Sequence, residues 1–370
     1  MSSFLEKKRD GTSFDDLLST APESTQKNKR YAVSLFEKFI DESYAGRTLD
    51  DVITELRLLK TQDTQIYEDS LYGLLQDWIN WNQSNGKCNS TIRVSFSNLR
   101  QYLFHHGIKT DEQNIKEYLR FEKRTIEYRH PLSQSEYRRI IDGLARHPLV
   151  QALFLALGSS GLRIGEAQSL KKKDLDLTGI RIKVNVPANT KTRTGRVTYL
   201  SLETEKILRP HLETMSQDDF VFATKHNKDN SSSVRTLLAR LVDKLELVDR
   251  YQSNNIRKIT THSFRAYFFT KAARKHGENY AHKLVGHGGY LMQYDRMTEE
   301  EKLDMYIELE PDLVVFDQTK NELEISRLRD KVEEIDELKL QVQKLREAQA
   351  KSDKKILENM TKQKIISDIK

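Results

Sequence analysis

The sequence predicts a mostly α-helical fold with one small antiparallel β-sheet, on three observations. Apolar residues recur at three- and four-residue steps through most of the chain, which lines one face of a helix. Only Ile180 to Val186 and Arg196 to Leu200 read as strands, joined by a polar turn that holds Gly195. From Asn321 onward glycine and proline vanish, so nothing interrupts a long terminal helix.

The first helix is expected from Ser24 to Ile40, with Ala32, Phe36, Phe39 and Ile40 on one stripe. A second runs from Ile66 to Trp81 through Tyr67, Leu71, Leu74 and Trp78, and Gly86 stops it. Ser90 is placed to cap a third, whose Ile92, Phe96, Leu99 and Leu103 repeat in the same way until Gly107. Residues 1–121 therefore read as a small helical domain.

Residues 122–131 mix charges with Tyr128 and end at Pro131, where a helix cannot easily continue. They are the expected linker. A second domain, 132–316, opens on a capping box of Ser133 and Glu136, with Leu132 and Tyr137 as its hydrophobic staple. The most apolar helix follows, through Leu149, Val150, Leu153, Phe154 and Leu157, and is expected to break at Ser159, Ser160 and Gly161. Further helices are expected from about Ser233 to Leu247 and from His262 to His276. In the tail, 317–370, Ile325, Leu328, Val332, Ile335, Leu338, Val342 and Leu345 follow three-four spacing with one shortened step, Ile335 to Leu338. Such a stammer strains a coiled coil without forbidding it. Two readings stand: a helix packed on its own domain, or a coiled coil joining copies.

A chain of 370 residues exceeds what one core usually holds. Its 61 Lys and Arg against 55 Asp and Glu leave a net charge of +6, mild in sum but compatible with an anionic partner. The single Cys88 excludes an internal disulfide framework and any Cys-rich zinc module. The opening residues lack an apolar signal-peptide core and no apolar run is long enough to span a bilayer. An intracellular, cytoplasmic protein without membrane contact is expected.

Four clusters offer chemistry. In Thr261-His262-Ser263-Phe264-Arg265 the His and Arg share one helical face, while Phe264, Phe268 and Ala272 anchor the other. Arg163 lies in Ser-Ser-Gly-Leu-Arg-Ile-Gly-Glu, where Glu166 is placed to brace it. The turn from Thr190 to Arg196 carries Lys191 and Arg193, suited to phosphate. Leu284 to Arg296 puts His287 at a glycine-rich helix end with Tyr290 and Tyr294 downstream. Taken singly, each cluster reads better as ordinary surface. His276, His282 and His287 invite a metal, but no carboxylate or thiolate has fitting spacing, and no metal or cofactor is expected.

The order of these clusters is more specific than any one of them. An Arg after a Ser-Gly-Leu turn, a hairpin Lys, His-x-x-Arg, Gly-His and then Tyr resembles the catalytic set of the tyrosine recombinase (phage integrase) family, over roughly Leu132 to Pro311. The run from Met297 to Leu313 is most like integrases of archaea and their mobile elements. The resemblance implies a helical core-binding domain followed by a tyrosine-recombinase-type catalytic domain. It assigns Arg163, Lys191, His262, Arg265 and His287 to catalysis and Tyr294 as nucleophile, ahead of Tyr290 and Tyr306. Lys191 is preferred to Arg193 for its separation from Arg196.

What the resemblance implies is site-specific DNA cleavage and rejoining through a 3′-phosphotyrosyl intermediate, by a homotetramer on synapsed double-stranded DNA, at the nucleoid and without metal or nucleotide. Phosphate contacts are expected from Lys27, Lys29, Arg30, Arg93 and Arg100 in the first domain and from Lys171, Lys172, Lys173 and Arg193 in the second. Three alternatives stand beside this reading: type IB topoisomerase-like relaxation, a catalytically silent DNA-binding protein on the same fold, and a metal nuclease.

Overall fold

Capping boxes and apolar stripes set the helices of the N-terminal unit. The computed structural model describes residues 13–123, 127–188, 195–222, 231–287 and 296–368. The chain divides into two compact units, residues 1–128 with 252–255, and residues 129–251 with 256–370.

The first unit contains α1 (Phe14–Ser19), α2 (Glu23–Ser43), α3 (Leu49–Gln62), α4 (Thr64–Ser84), α5 (Asn89–His105) and α6 (Glu112–Tyr118). Phe36, Trp78, Leu71, Leu75 and Leu99 are buried at its centre. Two expectations need correction. The cap of α5 is Cys88 instead of Ser90, and its side chain makes no capping bond. The helix α3 was not anticipated, although Thr48 and Asp51 form a capping box ahead of the buried Val52, Ile53 and Leu56. The excursion 252–255 is held here by the amides of Gln252 and Ser253, which donate to the Glu127 carboxylate at 3.0 and 2.7 Å.

The second unit opens with α7 (Gln134–Gly143), where the Ser133–Glu136 capping box forms and Leu132 and Tyr137 are both buried. Next, α8 (Pro148–Ser160) buries every residue from Ala152 to Ser160, with Gly161 as its left-handed cap. The helix thus runs through Ser159 and Ser160 instead of breaking there. The Ser160 hydroxyl donates to the Ala156 carbonyl at 2.6 Å, so its polar group is satisfied within the helix. A Cβ at Gly161 would lie 2.5 Å from Phe268 and 2.7 Å from Val285, and its φ of 65° favours glycine.

After α9 (Ile164–Ser169) comes a three-stranded antiparallel sheet of β1 (Leu175–Asp176), β2 (Lys183–Val186) and β3 (Arg196–Tyr199), in that order. Lys183 pairs with Tyr199 and Val186 with Arg196. The strand begins at Lys183 instead of Ile180 because Arg181 turns inward to a buried ion pair with Glu310 at 2.7 Å, while Ile180 is exposed. Then follow α10 (Leu202–Glu213), α11 (Ser231–Lys244), α12 (Thr261–His276), α13 (Glu278–Val285), α14 (Glu299–Leu313) and α15 (Asp317–Asp368). The apolar α8 packs against α10 and α12, so α12 is held in the core. No helix among the described residues is long and apolar enough to cross a membrane.

Carboxylates of α10 and α14 fasten the end of this unit. Glu203 accepts the Val315 and Phe316 amides at 3.0 and 2.7 Å, and Glu310 accepts the Leu202 amide at 2.6 Å. Burial, then the nearby Glu310, pushes the Glu203 carboxyl up to about 7 despite those amides. A raised carboxyl pKa contributes stability that is complete below the ordinary carboxylate range and is lost as pH rises through about 7. Glu203→Gln keeps the acceptor and removes the charge. Denaturant unfolding of this variant should decline less than the parent between about pH 4.5 and pH 7, by on the order of 3 kcal/mol.

Candidate active site

The site is organised by one buried carboxylate. Arg163 caps α9, and Glu166 lies one turn inside the same helix, so the i to i+3 spacing brings them together. The Arg163 amide donates to Glu166 at 2.8 Å and its guanidinium at 2.7 Å. Arg196, which opens β3, donates to both oxygens of the carboxylate, to Oε2 at 2.6 Å and to Oε1 at 3.3 Å. The Arg265 guanidinium on α12 lies 3.9 Å away. Burial alone would raise the Glu166 carboxyl, but hydrogen bonds and charge from Arg196 and Arg163 outweigh it and hold it below the ordinary value.

The same arginines close the buried C-terminus of α13. Arg196 donates from Nε to the Leu284 carbonyl at 2.8 Å, and Arg265 from Nη2 to the Val285 carbonyl at 2.6 Å. The final carbonyls of a helix lack intrahelical partners and carry its partial negative charge, so cations are favoured there. A second nitrogen of Arg265 donates to the Gly161 carbonyl. Gly286 ends α13 at φ 69°, and a Cβ there would come within 2.8 Å of Arg196. A larger residue would displace that arginine.

Burial, then the Arg163 charge, lowers the Arg265 guanidinium to about 9, which leaves it cationic at neutral pH. Three guanidiniums around one carboxylate leave positive charge in excess. The cleft beside them, about 560 Å³, is lined by Arg163, Ile164, Ser169, Arg235, His262 and Arg265 among others. It suits an anion with several oxygens.

His262 stands one turn before Arg265 on α12 and is exposed. His287 follows Gly286 and is exposed. His282 and His287 share a hydrogen bond between their Nδ1 atoms at 3.0 Å, so one ring donates and the other accepts. His276 Nε2 instead meets the Met305 carbonyl at 2.8 Å. Burial first and then Arg265 lower both His262 and His287 below the ordinary imidazole value.

Of the residues anticipated for catalysis, Arg163, His262, Arg265 and His287 converge on this region. Lys191, Arg193, Tyr290 and Tyr294 lie outside the described residues. Tyr306 does not belong to the site. It is fully buried and its hydroxyl donates to the Ser159 carbonyl at 3.0 Å, so it is a core residue. Arg235, on α11, was not anticipated, and a single arginine within a helix gives no sequence signal.

The basic residues expected to meet phosphate have mixed surroundings. Lys171 and Lys173 share Asp218 at 3.2 and 2.7 Å, and Lys172 donates to the Met215 carbonyl at 2.8 Å. Lys27 pairs with Glu23 at 2.7 Å and Arg30 with Asp15 at 2.9 Å, both on the surface. Lys29 is partly exposed. Arg93 lies 4.4 Å over the Phe121 ring, and Arg100 donates to the Thr110 hydroxyl at 2.8 Å.

Residues 130–292 match the model of the phage integrase family. Through this region, under half of the chain, it is similar to that family. The chain is 28% identical over 182 residues to a protein of Aquifex aeolicus (strain VF5) described as "Probable integrase/recombinase", covering 45% of this chain and 58% of that relative. It thus spans less than two thirds of that relative's length. A protein of Acholeplasma phage L2 with the same description is 23% identical over 234 residues, covering 61% of this chain and 74% of the other. Among solved structures, lambda integrase, determined as a dimer bound to a COC′ core site, shares the fold with a TM-score of 0.54. Their identity is 16%, and the match covers 77% of this chain and 78% of that one. A shorter form, lambda integrase 75–356 on the same core site, gives 0.53 at 14% identity, covering 75% and 93%.

Two outcomes test the site as drawn. Glu166→Gln leaves buried guanidiniums without their counter-charge and should lower unfolding free energy by about 3 kcal/mol, seen as a fall in the thermal midpoint. Imidazole titration followed by NMR should place His262 and His287 below the ordinary value in the free protein, and above it once a DNA phosphate occupies the cleft.

Proposed function

We propose that the chain is a site-specific DNA recombinase that cleaves and rejoins double-stranded DNA through a 3′-phosphotyrosyl intermediate. The observation that carries this reading is the convergence of Arg163, Arg265, His262 and His287, from three separated segments, around one buried carboxylate and one cationic cleft. The match to the phage integrase family model supports it, and the lambda integrase structures on core-site DNA supply the precedent for a duplex partner.

In this mechanism the Tyr294 oxygen attacks the scissile phosphorus. The bond between phosphorus and the 5′ oxygen breaks as the tyrosine ester forms. Charge accumulates on the nonbridging oxygens, where Arg163 and Arg265 meet it with planar forks already oriented by Glu166 and by main-chain carbonyls. His262 and His287 donate further hydrogen bonds to those oxygens. Lys191 gives a proton to the departing 5′ oxygen. The ester conserves the bond energy, so a 5′-hydroxyl from another strand reverses the step without a nucleotide. The roles of Tyr294 and Lys191 rest on their position in the family motif.

Exchange between two duplexes cuts four strands, and one protomer for each makes a tetramer. Residues 1–121 form the second DNA-binding domain in this reading, with 122–131 as linker, 132–316 as catalytic domain and 317–370 as tail. The protein's place is with the cell's DNA.

The test is a nicked substrate carrying the native site, incubated in chelator. A covalent adduct should form with the parent and with Tyr306→Phe, and be absent with Tyr294→Phe. Arg163→Ala should slow its formation by roughly a hundredfold to a thousandfold. Loss of the adduct in chelator would sink the mechanism, and its persistence in Tyr294→Phe would move the nucleophile.

A further inference from the structure

Among the described residues, the tail helix α15 is anchored at its beginning. Asp317 pairs with Arg138 at 2.9 Å, and Glu322 takes the Lys206 ammonium. From Glu324 to Ser352 every residue is exposed. The apolar row from Ile325 to Leu345 is therefore uncovered, with exposures between 47% for Val342 and 70% for Leu345. A helix draws most of its stability from packing an apolar face, and a continuous exposed stripe marks an interaction surface.

We infer that this stripe binds the same stripe of a second copy of the chain, as a parallel, in-register two-helix coiled coil. The inference does not rest on the recombination reading. The flanking charges choose both the partner and the orientation. Ile325 and Val332 occupy a positions, Leu328 a d position, and Ile335 is d of this frame and a of the next. The three-residue step to Leu338 resets the phase, so that Leu338 and Leu345 are d and Val342 is a. In a parallel pair each g residue meets the partner's e residue five positions on. Those pairs are Glu324 with Arg329, Lys331 with Asp336, and Glu334 with Lys339, opposite in sign and exposed, and Gln341 with Arg346, in which only the arginine is charged.

An antiparallel pair brings e against e. Here Arg329, Lys339 and Arg346 make three of the four e positions cationic, which sets like charges together. The seam is 21 residues from Ile325 to Leu345, a rod of about 30 Å.

The test uses the full chain, with mass measured by light scattering across the micromolar range. The parent should be a dimer or a higher multiple. A g-reversed variant (Glu324→Lys, Lys331→Glu, Glu334→Lys) and an e-reversed variant (Arg329→Glu, Asp336→Lys, Lys339→Glu) should each associate more weakly by on the order of a hundredfold. Their mixture should recover the pairing. All six positions are exposed, so folding is preserved.

Orientation is read in a Cys88→Ser background. Ile325→Cys and Leu345→Cys should each cross-link to itself and not to the other. A monomeric parent, a mass indifferent to both reversals, or cross-links only between the two different cysteine variants would overturn the proposal.

Discussion

The second unit depends on how the carboxylate of Glu166 is shared among Arg163, Arg196 and Arg265. A buried carboxylate by itself is costly, and so is a buried guanidinium. Together they neutralise most of the burden and leave the surplus positive charge facing the cleft. The arrangement ties the turn after α8, the first turn of α9, the start of β3 and the second turn of α12 to one point. Arg196 and Arg265 then reach past it to the last carbonyls of α13, so the helix end that presents His287 is placed by the residues that shape the anion site. Charge and geometry are therefore set by the same contacts.

This coupling explains the packing requirements nearby. Gly161 must be left-handed and bare because Phe268 and Val285 press against it, and its carbonyl receives Arg265. Gly286 must be bare because Arg196 lies against its backbone. The apolar α8 supplies the rigid floor: it packs on α12, whose buried Phe264 and Phe268 fix the helix while His262 and Arg265 face the cleft. Transition-state stabilisation of a phosphoryl group requires donors held in place before the reaction, and these contacts hold them.

Much of this was legible in the chain. The Arg163–Glu166 brace follows from a three-residue spacing at a helix start, and the His262–Arg265 face from the same spacing on α12. The Ser133–Glu136 box and the apolar α8 were equally plain. Other features were present and overlooked: Thr48 and Asp51 announce α3 as clearly as Ser133 announces α7. The true start of β2 was hidden because Arg181 finds its partner, Glu310, 129 residues away. Arg235 reaches the cleft by the placement of its helix and by nothing in its own neighbourhood.

By itself the sequence determined what short-range chemistry can determine: the helical periodicity, the caps, the order of the reactive residue types, and a long terminal helix with an alternating apolar seam. Only the tertiary structure decided that Arg196 and Arg163 share one carboxylate, that Tyr306 is a core residue instead of a nucleophile, and that the seam of α15 is left uncovered by its own unit. The division follows the range of the forces. Spacing along a helix fixes which side chains are neighbours within one turn or two. Which distant groups meet depends on how apolar faces pack, and a buried charge selects its partner only after that packing has removed water from both.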